Sequence, residues 1–296
     1  MPTLQAPGRI AAIHDLSCMG RCALTVILPT LSVMGYQAIP IPTALLSTHT
    51  GGFTDLHFHD LTPDMEKISD HFSALGLSFR AIYTGFLGSA AQIQSVGNII
   101  KRFGNTPDES GKLPLILIDP VMGDDGELYS TYTEDLMRGM KQLSRHAHIL
   151  TPNLTEACFL TDTPFFDTQA MPSDEAINKT KALLETLKSV TDALTVITGI
   201  PLCDGTVANV GRDTDGKVFC VRRAHTHPSY PGTGDLFASV LLCEYLAHED
   251  FPRAVTAAAD FVGLVIAESA KIPTPVRNGV ALESHLWRLS PQNDRA

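Results

Sequence analysis

The stretch Leu115-Ile116-Leu117-Ile118-Asp119-Pro120-Val121-Met122-Gly123-Asp124-Asp125-Gly126 sets an unbroken apolar run against a polar, turn-rich tail. Four aliphatic residues without alternation fit a strand covered on both faces, as strands of a parallel sheet are. Asp119 follows at once. A carboxylate there is either a turn or helix cap or a ligand to a cation or its waters. In parallel sheets all strand C-termini share one edge, and ligands bind in the crevice along it.

Reading outward, the same alternation recurs on both sides. Upstream, Ile10 to Ile13 reads as a buried strand ending in His14-Asp15 and a loop closed by Gly20. A helix from about Arg21 to Met34 ends at Gly35 as a C-terminal cap. Tyr36 to Pro42 is a strand whose prolines suggest its end or a sheet edge. The polar loop Ser47 to Phe53 follows, and then a helix from Pro63 to Leu75 with Thr62 as N-cap. Phe79 to Tyr83 is a strand with Thr84-Gly85-Phe86-Leu87-Gly88 as its outgoing loop, and Ser89 to Phe103 a helix.

Downstream come a helix from Thr133 to Leu143, the strand His148 to Leu150, and a helix opened by Thr151 to Glu156. A helix around Ala176 to Val190 leads to the strand Leu194 to Ile197, which runs into Thr198-Gly199. Thr206 to Val210 and Lys217 to Val221 flank Asp215-Gly216, a hairpin signal that adds antiparallel strands at one edge. Ala254 to Ala270 is a small-residue helix. The expected fold is a three-layer α/β architecture, with a mostly parallel central sheet, helices on both faces and a small antiparallel edge. No internal repeat or long polar linker divides the 296 residues. We therefore expect a single domain over 1–296, with its core at about 9–270 and a helical extension near 278–290.

Composition narrows the function classes. A formal charge of −10 argues against a nucleic-acid partner, because backbone phosphates are bound by clustered Lys and Arg. A nucleotide stays open, since amides and a divalent cation can hold its phosphates. No window approaches the roughly 18 apolar residues of a membrane span, and Met1 to Arg9 lacks an apolar signal core. A cytoplasmic protein with reduced thiols is expected. Of six cysteines only Cys18 and Cys22 lie close together, and no second pair or His cluster completes a zinc site.

Tyr230-Pro231-Gly232-Thr233-Gly234-Asp235 turns a loop into a helix whose apolar positions run from Leu236 to Tyr245. Glycines there bring bare amides to the start of a helix, a place that attracts anions. Asp235 reads either as a first-turn acid beside an N-cap Thr233, or as a general base next to a phosphate-binding turn. Asn153 and Glu156 have capping-box spacing, and the same pair would suit a hydrated Mg²⁺. His14 and His49 are loop histidines able to donate to a ligand. His225 and His227 share one face of an extended segment, a metal arrangement only in the less common case. Arg222-Arg223 is a solvated edge or a nucleotide contact.

Taken in order, Ile13 to Gly20, Leu46 to Gly51, Thr84 to Gly88, Asp119 to Gly123, Thr151-Pro152-Asn153 with Glu156, Thr198-Gly199 and Gly232 to Asp235 resemble the pyridoxal (pyridoxamine) kinases of the ribokinase-like superfamily. The resemblance runs from about Arg9 to Ala270. It implies ATP-dependent phosphorylation of the 5′-hydroxymethyl group of a B6 vitamer, in salvage of pyridoxal 5′-phosphate. Asp235 would be the base, and Gly232, Thr233 and Gly234 an anion hole. Asp119 and Glu156, with Asn153 nearby, would organise Mg²⁺ and the phosphates. Thr198 and Gly199 would lie at the phosphates. Asp15, Ser47, His49, Thr50 and Phe86 would face the ring, and Asp124 to Tyr129 would form a flap over ATP. A homodimer and activation by a monovalent cation such as K⁺ are further implications.

Two positions depart from the family pattern. Many members have a small Ser where Asp15 stands, and Thr198-Gly199 replaces a commoner Thr-Ser. An acid at 15 would pair with a protonated ring nitrogen or an amine and repel a phenolate, which bears on the preferred vitamer. The alternatives are a hydroxymethylpyrimidine kinase and a vitamer- or nucleotide-binding protein without turnover.

Overall fold

The computed structural model describes residues 7–129, 132–225 and 228–291. In chain order its strands and helices are β1 (Arg9–Met19), α1 (Leu24–Val33), β2 (Gln37–Thr48), β3 (Phe58–Asp60), α2 (Thr62–Ala74), β4 (Ala81–Thr84), α3 (Ala90–Phe103), β5 (Leu115–Ile118), β6 (Gly123–Asp124), β7 (Glu127–Leu128), α4 (Glu134–Leu143), β8 (Ile149–Leu150), α5 (Leu154–Thr161), α6 (Ser173–Thr186), β9 (Leu194–Pro201), β10 (Thr206–Arg212), β11 (Val218–Ala224), α7 (Thr233–His248) and α8 (Phe251–Ser269). Nine strands form one sheet in the order β11-β10-β9-β8-β5-β4-β1-β2-β3. The six strands from β9 to β2 in that order pair in parallel, and both flanks close with antiparallel pairings.

Side chains alternate across this sheet as a period of two requires. Ala11, Ile13, Ile82, Ile116 and Ile118 pack beneath α2 to α6, together with Met65, Val96, Leu136, Leu154 and Ile177. Ile10, Ala12, Tyr83 and Leu117 pack on the opposite face against α1, α7 and α8. The three layers expected from the sequence are present. Every residue of α7 from Leu236 to Cys243 is buried, because α8 covers the side turned away from the sheet. The small residues Ala254, Ala258 and Ala259 allow that close approach.

The largest departure from the sequence reading concerns the first two strands. β1 does not end at Ile13 and β2 does not end at Pro42; they stay paired out to Met19 and Thr48. The register shifts between His14 and Leu16, so two residues of β1 oppose three of β2. β3, not foreseen, pairs antiparallel with Ala44 to Leu46 on the far side. Asp15 and Ser47 thus stand on strands that project past the crevice rather than on loops. Helix starts also move, α1 beginning at Leu24 rather than about Arg21 and α8 at Phe251 rather than Ala254; Leu61, not Thr62, is the N-cap of α2, and Asp60 Oδ1 accepts the Thr62 N–H. Beyond α8 the chain makes 3₁₀ turns at Val276–Asn278 and Leu286–Leu289 in place of a longer helix.

Candidate active site

The C-terminal ends of β1, β5, β8 and β9 meet the start of α7. Gly232, not Thr233, is the N-cap of α7, at φ 81° and ψ 0°. Thr233 Oγ1 turns away to donate to the Tyr230 carbonyl at 3.0 Å. A side chain at 232 would place its Cβ 2.0 Å from the Arg21 carbonyl oxygen, so only glycine lets the two backbones approach. The first-turn amides of α7 have no acceptor within the helix and carry the positive end of its dipole.

Asp235 lies between two helix starts. Its Oδ2 accepts the Ala23 N–H at 2.7 Å, and Ala23 is the N-cap of α1. Ala23 holds φ 47° and ψ −133°, a conformation costly for a residue with a Cβ. Burial pushes the Asp235 carboxyl up to about 7; the Ala23 amide opposes this and the charges of Asp119 and Asp15 add to it.

Asp119, only 6% exposed, ends β5. Thr151 Oγ1 donates to its Oδ1 at 3.0 Å, and its Oδ2 lies 3.9 Å from where a side chain on Gly234 would begin. Desolvation raises this carboxyl to about 7 as well. Asn153 and Glu156 form the capping box their spacing predicts: Asn153 Oδ1 accepts the Glu156 N–H and Glu156 Oε2 accepts the Asn153 N–H, both at 2.8 Å. The box does more than cap. Glu156 Oε1 also takes the Met122 N–H at 3.1 Å, and Asn153 Nδ2 donates to the Gly123 carbonyl at 2.8 Å, tying α5 to the loop after β5. Burial, and then the Asp119 charge, hold the Glu156 carboxyl well above the usual range.

These carboxylates repel one another, and among the described residues no cation lowers the pKa of Asp119, Glu156 or Asp235. For an acid whose native pKa is raised, the native state binds the proton more tightly, so stability falls as pH rises from the unfolded value through the native one. The ligand-free protein is therefore expected to lose thermal stability between about pH 4 and pH 7. Asp119→Asn, which keeps the Oδ1 acceptor for Thr151, should flatten that fall. Melting curves across this range check it, and an identical profile in the variant would remove Asp119 from the effect.

Thr198 sits beside Asn153 in an isolated bridge, with its N–H on the Pro152 carbonyl at 2.9 Å. Gly199 at φ 64° gives its N–H to Asn209 Oδ1 at 3.1 Å. β6 and β7 form a two-stranded hairpin over this region, turning at Asp125 and Gly126, whose φ values of 50° and 83° are those a two-residue hairpin turn demands. Asp124 Oδ1 accepts the Asp125 N–H, and burial raises its carboxyl. The Gly126 N–H on Thr155 Oγ1 at 2.9 Å fastens the hairpin to α5.

On the other side, Asp15 is 8% exposed, accepts from Ser17 Oγ at 2.9 Å, and is raised mainly by burial. Ser47 Oγ accepts the His57 N–H at 2.9 Å. His49 Nδ1 accepts the Gly51 N–H at 3.1 Å, which leaves Nε2 to donate to the Arg277 carbonyl at 2.6 Å. Both ring nitrogens are thus used within the protein. Thr50 is exposed beside it, and Phe86 is half-buried against the core at the end of the loop after β4. His14 is no loop residue: it lies buried on β1, edge-on to Tyr83 at 4.3 Å, and burial lowers its pKa to about 3.

Other members of the site carry no signal in the sequence. Tyr83 lies beneath the first turns of α7, and its hydroxyl is raised by burial and by the charges of Asp235 and Asp119. The Cys22 thiol is pushed up by burial and by Asp235 and Asp15. Residues 276–283 close the rim. Arg21 N–H donates to the Asn278 carbonyl at 3.1 Å, Arg21 pairs with Glu283 at 2.6 Å, and the Arg277 guanidinium lies 4.8 Å over the Phe53 ring. Arg222 and Arg223, by contrast, lie on the outer strand β11 and pair with Asp204 in the β9–β10 turn and Asp260 on α8. His227 lies outside the described residues. All six cysteines are free, and among the described residues no helix is long and apolar enough to cross a membrane.

The chain is similar to known proteins over nearly its whole length. A pyridoxine/pyridoxal/pyridoxamine kinase of Bordetella avium is 28% identical over 291 residues, covering 94% of this chain and 93% of its own length. A Bacteroides thetaiotaomicron protein provisionally assigned as a phosphomethylpyrimidine kinase, solved with pyridoxal, superposes with a TM-score of 0.86 at 37% identity, covering 96% of each chain. The pyridoxal kinase of Lactobacillus plantarum gives 0.85 at 28% identity over 97% of this chain and 98% of its own. The family model described as phosphomethylpyrimidine kinase matches residues 20–277, and the chain belongs to that family.

Proposed function

We propose that the protein transfers the γ-phosphoryl group of ATP to the 5′-hydroxymethyl group of a B6 vitamer, in salvage of pyridoxal 5′-phosphate. The observation that carries this is Asp235: a carboxylate at about 7, held by the Ala23 amide beside the glycine turn of α7. A base poised near neutral pH removes the proton from an attacking hydroxyl efficiently. As the vitamer oxygen bonds to the γ-phosphorus and the bond to ADP breaks, Asp235 takes that proton. The free amides of Gly232 to Asp235 meet the charge on the transferring oxygens. Thr198, Gly199, Asn153 and the Asp124 to Tyr129 hairpin bound the phosphate side, and closure of that hairpin would exclude water from ATP.

Among the described residues no three metal-ligating side chains are gathered, but the donor set suits Mg²⁺, which takes one or two carboxylates and completes its shell with waters and phosphates. Asp119 and Glu156 would hold it, and when bound it would neutralise charge on the phosphates. Asp15, Ser47, His49, Thr50 and Phe86 form the proposed ring side. The engagement of both His49 nitrogens makes that ring a fixed wall rather than a free donor.

The relatives named for pyridoxal, and the one solved with it, favour a pyridine substrate. The family description favours the second reading, a hydroxymethylpyrimidine kinase. The deciding measurement is kcat/KM with Mg-ATP for pyridoxal, pyridoxamine, pyridoxine and the pyrimidine alcohol. We expect at least one pyridine to exceed the pyrimidine; turnover of the pyrimidine alone would overturn the choice.

A further inference from the structure

Two depressions lie at the N-terminal ends of the parallel strands, on the sheet edge opposite the crevice. The smaller, about 440 Å³, is lined by Arg9, Arg80, Asp108 and Glu109, and its cations are matched: Arg9 pairs with Glu109 at 3.1 Å and Arg80 with Asp108 at 3.9 Å. The larger, about 820 Å³, opens below β5, β8 and β9, and one of its cations, Arg212, is buried without a counter-charge among the described residues.

Arg212, at the end of β10, lines the larger depression and is 6% exposed. Its Nη2 donates to the Ala193 carbonyl at 3.3 Å, an oxygen already taken by Thr195 Oγ1 at 3.0 Å. Its Nη1 is buried and has no hydrogen-bond partner, and among the described residues no carboxylate forms an ion pair with it. Burying a guanidinium without a counter-charge costs several kcal/mol, and proteins ordinarily supply the anion. Arg145 and Lys188 line the same depression. His148 adds a donor: its Nδ1 accepts the Ile116 N–H at 3.0 Å and burial lowers its pKa, so the neutral ring carries its proton on Nε2.

The acids facing this space do not complete the balance. Asp213 Oδ1 is occupied by the Asp215 and Lys217 amides at 3.0 and 2.8 Å, closing the β10–β11 turn. Lys188 also reaches Glu185 on α6, Asp192 is exposed, and Tyr245 is a neutral donor at the rim. With Lys188 paired to Glu185, the uncompensated buried cation facing this space among the described residues is Arg212, with the exposed Arg145 beside it.

We propose that this depression is a second anion site, built on Arg212, for a phosphate group, either free phosphate or the head of a small phosphomonoester. Its volume is that of a small-molecule pocket rather than of a single ion. It is separate from the crevice: Leu194 lines it while Thr198 stands at the crevice, roughly 13 Å apart at the rise of an extended strand. The site does not depend on the kinase reading.

The test is the thermal midpoint titrated with inorganic phosphate and with ribose 5-phosphate, at ionic strength held constant with chloride. The midpoint should rise along a saturable curve in the wild-type protein. An Arg145→Ala/Lys188→Ala double variant, altered on the surface only, should raise the apparent Kd at least about tenfold. Arg212→Met should abolish the response without lowering the midpoint in chloride, since it removes an unpaired buried charge. Tighter binding of the sugar phosphate would identify a phosphomonoester and the reverse order free phosphate. A midpoint no higher in phosphate than in chloride, or an equal phosphate response in wild type and double variant, would overturn the site. If Arg212→Met does not fold, the double variant decides.

Discussion

Asp235→Asn is expected to lower kcat about 10²- to 10⁴-fold, the contribution general-base catalysis makes by itself. The substitution isolates the chemistry. Asn keeps an oxygen able to accept the Ala23 N–H that Oδ2 accepts at 2.7 Å, so the start of α1 stays in place and ATP affinity should be preserved. The wild-type rate should fall as pH drops through about 7 in the free enzyme, because only the ionised carboxylate takes a proton. The same raised pKa means that the ionised group destabilises the native state above that range. The variant should therefore be more stable than wild type at pH 8 and match it near pH 4. A protein that is firmer and slower at once is the signature of a strained functional group. Steady-state rates beside melting curves give both readings, and an unchanged rate would remove Asp235 from the chemistry.

The second large effect is expected at Gly232. Alanine there would hold a left-handed conformation at φ 81° and bring a methyl group 2.0 Å from the Arg21 carbonyl oxygen. The backbone penalty of about 1–2 kcal/mol and an overpacking cost of about 1–3 kcal/mol together predict a loss of roughly 2–5 kcal/mol. Activity should fall further than stability explains. Relief of the clash must move Arg21, and two residues on stands Ala23, whose amide holds Asp235. Gly234→Ala is the matched control, since its nearest neighbour is Asp119 Oδ2 at 3.9 Å and the position is helical. That variant should fold and melt close to wild type. Denaturant unfolding of the pair separates backbone clash from general glycine loss; a Gly232→Ala protein as stable as wild type would refute the argument.

Much of this was legible in the chain. Unbroken apolar runs such as Leu115 to Ile118 report burial on both faces, and turn chemistry at Asp215-Gly216 reports an antiparallel edge, because both are local consequences of sequence. Asp119, Asn153, Glu156 and Asp235 could be placed on one edge because topology alone brings strand ends together. What escaped depends on packing between distant segments. Nothing in Leu16 to Met19 says that β1 continues, because its partner residues on β2 lie nearly thirty positions away. Tyr83 reads as one more apolar strand residue until α7 is laid over it, and Ala23 offers no hint of its backbone conformation. The capping box at Asn153 shows a different limit: the local reading and the site reading are both compatible with the same bonds.

The rim formed by residues 276–283 also sets an order of events during synthesis. His49 finds its carbonyl partner 228 residues later, and Arg21 finds Asn278 257 residues later. On the ribosome, the sheet and α7 can assemble while this segment is still being made. The rim beside His49 and Arg21 cannot. A nascent chain can thus reach most of its fold with its loops at 20–22 and 49–53 unanchored, and that rim closes only after residues 277 and 278 have been made.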